Sequence, residues 1–363
     1  ITVTNTIDIN GSGSEVKAAF DAIDTNTGNA TANITGTDYT IAQLKSINND
    51  TTGAIVLATP TANLSGDVAD IVAAFAGTVT TNTGTITISD ANTTDIQATD
   101  IATIDSAISG AITVTNTIDI NGSGADVAAA FTAIDTNTGN ATANVTGNDY
   151  TVANLKTIND ATTGAIVLAD ASAALSGDST DIAAAFAGTV TTHTGTVTIT
   201  NSDYTAAELK TINDATTGAI TLNNAGGALS GNSTDIQAAL AGTITTHTGT
   251  VAITNNDYTL DELVAINNKS NGAITLSTDN APISGASSDY AAALAGTINY
   301  AGNVTISNAN YTVAELANIN NGTTGSITLS TNNTPLSGDS TDLAAALAGL
   351  LKYSRLPAPL GAL

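Results

Sequence analysis

Carboxylates that recur at matched positions are the residues of this chain best suited to chemistry. Acidic residues number 32 against 7 lysines and arginines, giving a net charge of −25. Calcium takes about six to eight oxygen ligands, and the Asp, Asn and Gly residues of this chain supply such oxygens in turns. No EF-hand loop and no glycine-rich calcium nonapeptide occurs. The candidate calcium ligands are therefore single loop aspartates: Asp178, Asp203, Asp257 and Asp339.

Other acids have a structural explanation. Asp181, Asp235 and Asp342 fall in the predicted first turn of a helix, where a negative charge stabilises the helix dipole. The sequence therefore predicts that no cofactor is required, with calcium as the candidate ion.

The two histidines, His193 and His247, occupy the same place in a repeated TTHTGT segment, where Asn82 stands in an earlier copy. A position that accepts either Asn or His is typical of a polar turn. Metal ligation by two histidines one period apart is the alternative, but neither has a Cys, a His or clustered carboxylates beside it. We therefore expect a surface turn.

Catalytic motifs are missing. No G-x-S-x-G, H-E-x-x-H or P-loop pattern occurs, and a chain with 0 cysteines has no thiolate site and no disulfide. A polysaccharide lyase on a parallel β-helix is the remaining enzymatic alternative. Such an enzyme needs a basic proton abstractor in a cleft, and only five lysines lie within residues 1–349. The sequence thus predicts that the protein is not an enzyme.

The sequence contains internal repeats, and the elements of these repeats must position the residues described above. Residues 1–13 recur letter for letter as 112–124, and Tyr-Thr pairs starting at Tyr150, Tyr204, Tyr258 and Tyr311 are 54, 54 and 53 residues apart. Repeats of this kind bury their apolar faces against their neighbours. Three segments are predicted: a first block, 1–110, with an atypical helical end at 92–108; a continuous array, 111–349; and a tail or linker, 350–363. Because the chain begins at Ile1 and holds no methionine, we expect it to be processed or cut from something longer.

One period, Thr196–Thr248, contains two strand–helix modules. The alternation TVTIT predicts a strand, and Thr205 with Glu208 has the spacing of a capping box that starts a helix. A second strand follows at Gly218–Leu222, and a second helix is closed by Gly242. We predict a repeat solenoid of short parallel β-strands alternating with short α-helices, two modules per 54-residue repeat. An antiparallel β-sandwich array is the alternative, because the strands are short and turn residues abundant.

The predicted strands place threonines on their outer face, in a T-x-T array that resembles ice-binding β-helices. Ordinary β-propensity and cross-strand threonine pairing also explain such a row. The acidic charge disfavours nucleic acid and anionic lipid as partners. The sequence has no apolar run of about 18 residues, so we expect no membrane insertion. The outward threonines are Thr198, Thr221, Thr275, Thr305 and Thr328.

The segments TVAELANINNGTTGSITLS (312–330) and LSGDSTDLAAALAG (336–349) resemble the tandem repeats of giant Thr/Asn/Gly-rich bacterial cell-surface proteins of the marine cyanobacterial type. The resemblance covers residues 1–349 and brings no catalytic residues. It implies a non-catalytic structural segment of an extracellular surface fibre, coat or adhesin. A calcium-, glycan- or ice-binding repeat module is the alternative. The expected partners are further copies or adjacent repeats, end to end, and surface polysaccharide.

Overall fold

The structure is a computed structural model that describes residues 1–331 and 334–348. The predicted tail, 350–363, lies outside the described residues. By its internal contacts the chain divides into two units: unit 1 comprises Ile1–Ala173 with Ala184–Thr192, and unit 2 comprises Ala174–Ala183 with the chain from His193 onward.

Short strands and short helices alternate along the described chain. The strands are β1 Thr2–Val3, β2 Asp8–Gly11, β3 Thr25–Asn26, β4 Thr31–Ile34, β5 Ile55–Leu57, β6 Leu64–Gly66, β7 Ile86–Ile88, β8 Asp95–Gln97, β9 Ile112–Val114, β10 Asp119–Gly122, β11 Thr136–Asn137, β12 Thr142–Val145, β13 Ile166–Leu168, β14 Leu175–Gly177, β15 Val197–Ile199, β16 Ile220–Leu222, β17 Leu229–Gly231, β18 Val251–Ile253, β19 Ile274–Leu276, β20 Ile283–Gly285, β21 Val304–Ile306 and β22 Ile327–Leu329. The helices are α1 Gly13–Asp21, α2 Ile41–Asp50, α3 Val68–Ala74, α4 Ala98–Ala107, α5 Gly124–Ala133, α6 Val152–Ala161, α7 Ser179–Ala185, α8 Ala206–Ala215, α9 Ser233–Ala239, α10 Leu260–Lys269, α11 Ser287–Ala293, α12 Val313–Gly322 and α13 Ser340–Leu347.

All pairs between these strands are parallel. In unit 1 the sheet orders are β1-β3, β2-β4-β5, β13-β12-β10-β8 and β11-β9-β7-β6; in unit 2 they are β14-β15-β16, β17-β18-β19 and β20-β21-β22. Leu175 pairs with Val197, and Val197 pairs with Ile220, so each of these strands lies against the next strand along the chain. We call the stretch of chain from one paired strand to the next a turn of the repeat. Parallel neighbours need a crossover connection, which a helix commonly provides. The alternation of parallel strands with helices is confirmed, and the antiparallel sandwich is wrong for the described residues.

Helix starts follow the predicted capping pattern. The Thr205 backbone amide donates to Glu208 Oε2 at 2.9 Å, and the Glu208 amide donates to Thr205 Oγ1 at 3.2 Å. Thr151 forms the same box with Asn154, whose side-chain oxygen replaces the carboxylate. Each box satisfies amides that the first turn of a helix leaves without partners. The box also begins the helices after Ser12, Thr40, Thr259 and Thr312.

The core lies between the strands and the inner helix faces and consists of aliphatic side chains. Val197 and Ile199 of β15 are fully buried, as are Leu209 and Ile212 of α8. The predicted helical end of the first block, 92–108, is partly wrong, because its residues 95–97 form β8 and pair with β10. The helix α4 starts only after that strand.

Candidate functional site

Both histidines are buried in the core. His193, His247 and the matching Asn82 each have 0% exposure. The predicted surface turn is wrong, because each residue forms a parallel bridge to the next turn of the chain and its side chain points inward. The bridge partners are Thr216 for His193, Ser270 for His247 and Ile108 for Asn82.

His247 contacts a buried tyrosine of its own unit. Tyr204 Oη lies 3.3 Å from His247 Nδ1 and donates to the Asn224 carbonyl at 3.0 Å. His247 Nε2 has no partner within hydrogen-bonding distance. Burial lowers the pKa of His247, and the Thr250 backbone, which favours the protonated form, offsets only part of this effect.

Asparagine completes the same arrangement in unit 1. Tyr39 Oη donates to Asn82 Oδ1 at 3.1 Å, and Asn82 Nδ2 donates to the carbonyls of Ala62 and Gly84 at 3.1 and 3.0 Å. Asn82 therefore satisfies both its oxygen and its amide hydrogens, which His247 does not. The position holds the interior together and offers no route to a substrate.

A buried serine joins successive turns in unit 2 through a set of contacts that we call the serine clasp, defined by Ser179, Asn201 and Glu208. Ser179 Oγ donates to Glu208 Oε2 at 2.9 Å and accepts from Asn201 Nδ2 at 3.0 Å. The Ser179 backbone amide donates to Asn201 Oδ1 at 2.9 Å. Ser179 is fully buried, so no substrate reaches its hydroxyl.

The clasp recurs with nearly constant geometry. Ser233 Oγ donates to Glu262 Oε2 at 2.9 Å, and Ser287 Oγ donates to Glu315 Oε2 at 2.8 Å. The asparagines are Asn255, at 3.0 Å from Ser233 Oγ, and Asn308, at 3.1 Å from Ser287 Oγ.

The glutamate of the clasp is held as a carboxylate. Burial alone raises the pKa of Glu208, but hydrogen bonds from the Thr205 backbone and from the Thr180, Ser179 and Thr205 hydroxyls outweigh burial and lower that pKa. The same balance lowers the pKa of Glu262. A carboxylate that accepts this many bonds acts as a structural acceptor.

The matching contact in unit 1 uses different residues. Asp90 stands where unit 2 has Asn201, and Val68 stands where it has Ser179. Asp90 Oδ2 accepts from the Val68 amide at 2.7 Å. Burial raises the pKa of Asp90, and the bond from Val68 opposes this rise. The backbone link therefore survives where the serine hydroxyl is missing.

The four calcium candidates accept hydrogen bonds from donors within the protein. Asp178 accepts from Thr200 Oγ1 at 2.9 Å. Asp203 and Asp257 accept from Asn201 and Asn255 at 2.8 and 2.7 Å.

The fourth candidate, Asp339, caps α13 by accepting from the amides of Thr341 and Asp342 at 2.9 Å each. Within residues 1–331 and 334–348, no three His, Cys, Asp or Glu side chains are grouped to hold a metal ion. The acids Asp181, Asp235 and Asp342 lie in first helical turns, as predicted.

Hydroxyl side chains form short rows on the outer face of the sheets. Thr198 lies between Ser176 and Thr221, and Thr305 lies between Ser284 and Thr328. Thr275 pairs instead with Ala252, so the row is interrupted there. The predicted outward threonines alternate with buried Val, Ile and Leu side chains, except that Leu329, beside Thr328, is only half-buried.

Lysines of the described chain sit beside acids or carbonyls. Lys17 and Lys210 pair with the aspartates four residues later at 2.6 Å each, and Lys156 does so at 2.9 Å. Lys45 pairs with Asp70, and Lys269 donates to the Gly242 carbonyl at 2.7 Å. The positive charges are therefore spread singly over an acidic surface.

No helix in the described part of the chain is both long and apolar enough to cross a membrane. No protein-family model matches the chain. No curated protein matches it either.

Proposed function

We propose that this chain is a non-catalytic structural segment of an extracellular surface fibre, coat or adhesin. It is folded as a repeat solenoid with two strand–helix modules per 54-residue repeat. The observation that carries the proposal is the serine clasp, whose serines Ser179, Ser233 and Ser287 are spaced by 54 residues. A polar contact that links successive turns at the sequence period serves a stack of turns rather than a pocket.

The distribution of charge supports the same role. The acidic surface keeps folded segments apart by repulsion, while apolar and clasp contacts hold the turns together inside. Side chains that could act as a nucleophile or a base, such as Ser233 and His247, form hydrogen bonds to other side chains of the protein.

The test is location on the cell. Antibodies raised against the chain are applied to intact and to permeabilised cells that carry the gene, with a cytoplasmic protein as control. The proposal expects equal labelling of both preparations and loss of the signal when intact cells are treated with protease. Labelling that requires permeabilisation contradicts it.

A glycan- or ice-binding module is the second candidate, because the Ser176–Thr198–Thr221 row sets hydroxyls at strand spacing on an outer face. Strand spacing is about 4.8 Å, which gives the row a regular repeat. Pull-down on insoluble polysaccharides and ice-recrystallisation assays compare the parent with Thr198→Lys/Thr221→Lys. Binding that the double variant abolishes favours this candidate, and equal results for both chains remove it.

A further inference from the structure

The first turn of unit 1 has an open side, formed by Ile1–Gly11, which we call the open edge. Its strands β1 and β2 are the outermost strands of their sheets among the described residues. Ile1 is 68% exposed and Ile7 is 43% exposed, whereas most large aliphatic side chains of the described residues are buried.

The same thirteen residues occur a second time in the same unit, as 112–124, and there they are covered. Ile112 and Ile118, which match Ile1 and Ile7, have 0% exposure. The second copy therefore shows that these isoleucines are buried when a preceding turn packs against them.

The neighbour that covers the second copy is the turn containing β7, β8 and α4. Ile86 pairs with Ile112, and Ile96 pairs with Ile120, both in parallel register. Backbone hydrogen bonds also join this turn to the second copy. The Asp119 amide donates to the Thr94 carbonyl at 2.9 Å, and the Thr93 amide donates to the Thr117 carbonyl at 2.7 Å.

On the side that faces the following turn, the first copy makes the same contact as the second copy. Thr6 Oγ1 donates to the Gly28 carbonyl at 2.9 Å, as Thr117 Oγ1 does to the Gly139 carbonyl at 2.7 Å. The open edge is thus folded in the covered form, and docking costs little reorganisation.

We propose that the open edge is a docking surface for a repeat turn of the type 86–107, with a strand, a second strand nine residues later and a ten-residue helix. This inference rests on the proposed role as a repeat-array segment. Its test is made in solution, so its outcome is independent of where the protein is found on the cell.

The experiment places an additional copy of residues 81–111 before Ile1, which reproduces the natural Ala111–Ile112 junction. Hydrogen exchange of Thr2–Gly11 is compared between the extended and the unmodified chain. Exchange of the Asp8 amide is expected to slow by at least about tenfold in the extended chain. Unchanged exchange at the open edge, or an added segment that is itself unprotected, overturns the proposal.

Matched isoleucine variants make the test specific. Ile7→Asp is expected to remove the added protection in the extended chain while leaving the melting temperature of the unmodified chain nearly unchanged. Ile118→Asp, at the covered copy of the same position, is expected to lower the melting temperature of both chains. Equal effects of Ile7→Asp on the two chains contradict the proposal.

Sedimentation of the unmodified chain checks for a different occupant. The proposal expects a monomer whose open edge exchanges freely. A dimer in which Thr2–Gly11 are protected, and which Ile7→Asp dissociates, assigns the edge to a second copy and overturns the proposal.

Discussion

The serine of each clasp uses its hydroxyl as both donor and acceptor in a place that water does not reach. Removing Ser233 Oγ leaves Glu262 and Asn255 each without one partner. Leaving a buried polar group unsatisfied costs about 1–3 kcal/mol. We therefore expect Ser233→Ala to lower the free energy of unfolding by about that amount, measured by urea denaturation.

Ser230→Ala is the matched control, because Ser230 lies on the exposed face of β17 and pairs with Ala252. Its effect is expected to stay within about 0.5 kcal/mol. Equal losses for the two variants would show that the clasp contributes nothing specific.

The buried histidine makes stability depend on pH. Since burial lowers the folded-state pKa of His247 below its usual 6.5, the unfolded chain binds the proton more readily. The contribution is fully present above the unfolded pKa and is lost as pH falls from there toward the folded pKa. One such group changes the free energy of unfolding by at most about 1.4 kcal/mol per pH unit.

His247→Asn installs the side chain that unit 1 carries at Asn82, which satisfies its polar groups without titrating. We expect the variant to flatten the fall of melting temperature between pH 7 and pH 5, measured against Lys17→Gln as a surface control. A variant with the same pH slope as the parent would contradict the assignment.

Side-chain burial was the hardest property to predict from these residues. An Asn/His position within a threonine-rich segment has the composition of a turn, and the bridges that turn His193 and His247 inward involve residues 23 positions away. The clasp was missed for the same reason. Ser179 and Glu208 each have a sufficient local explanation at a helix start, and only their 29-residue separation, repeated at Ser233 and Glu262, carries the signal.

At the scale of elements, glycine sets how closely successive turns approach. A Cβ on Gly272 would lie 1.6 Å from the Gly249 carbonyl oxygen, and one on Gly218 would lie 1.7 Å from that of Gly195. Both contacts are with backbone, which has little freedom to move. Glycine at these places therefore permits the turns to stack.

Gly272→Ala is expected to lower the free energy of unfolding by about 1–3 kcal/mol, since it forces two backbone segments apart. Gly226→Ala is the control, because its nearest neighbour, Asn224 Oδ1, would be 3.5 Å from the new Cβ. Thermal unfolding compares the two. A control as destabilised as Gly272→Ala would mean that the loss arises from glycine replacement itself and not from the close approach.

Element types were predictable because their signals are local. Alternating threonines with Val or Ile gave the strands, and Thr205 with Glu208 gave a helix start. The strand β8 was missed because its residues, Asp95–Gln97, run into α4 without a turn signal, and its pairing with β10 depends on a partner 24 residues away. Local sequence patterns thus predict most strands and helices. A strand without such a pattern, such as β8, is defined only by its pairing with a distant strand.

At the scale of the whole molecule, we expect each turn of the proposed repeat array to depend on its neighbours for stability. Stability in such arrays is close to a sum of unit and nearest-neighbour contributions. A period removed in register should therefore leave every remaining turn with the neighbour type it had before. In a globular domain the same deletion removes part of a shared core.

The most direct test is deletion of residues 197–250, which joins Thr196 to Val251 and rebuilds the Gly-Thr-Val sequence found at both places. Circular dichroism and thermal unfolding are measured for this chain, the parent, and an out-of-phase deletion of residues 197–223. We expect the in-register deletion to keep the ellipticity per residue and a cooperative transition within about 5 °C of the parent, and the out-of-phase deletion to lose both. Loss of folded structure in the in-register deletion would contradict the repeat array.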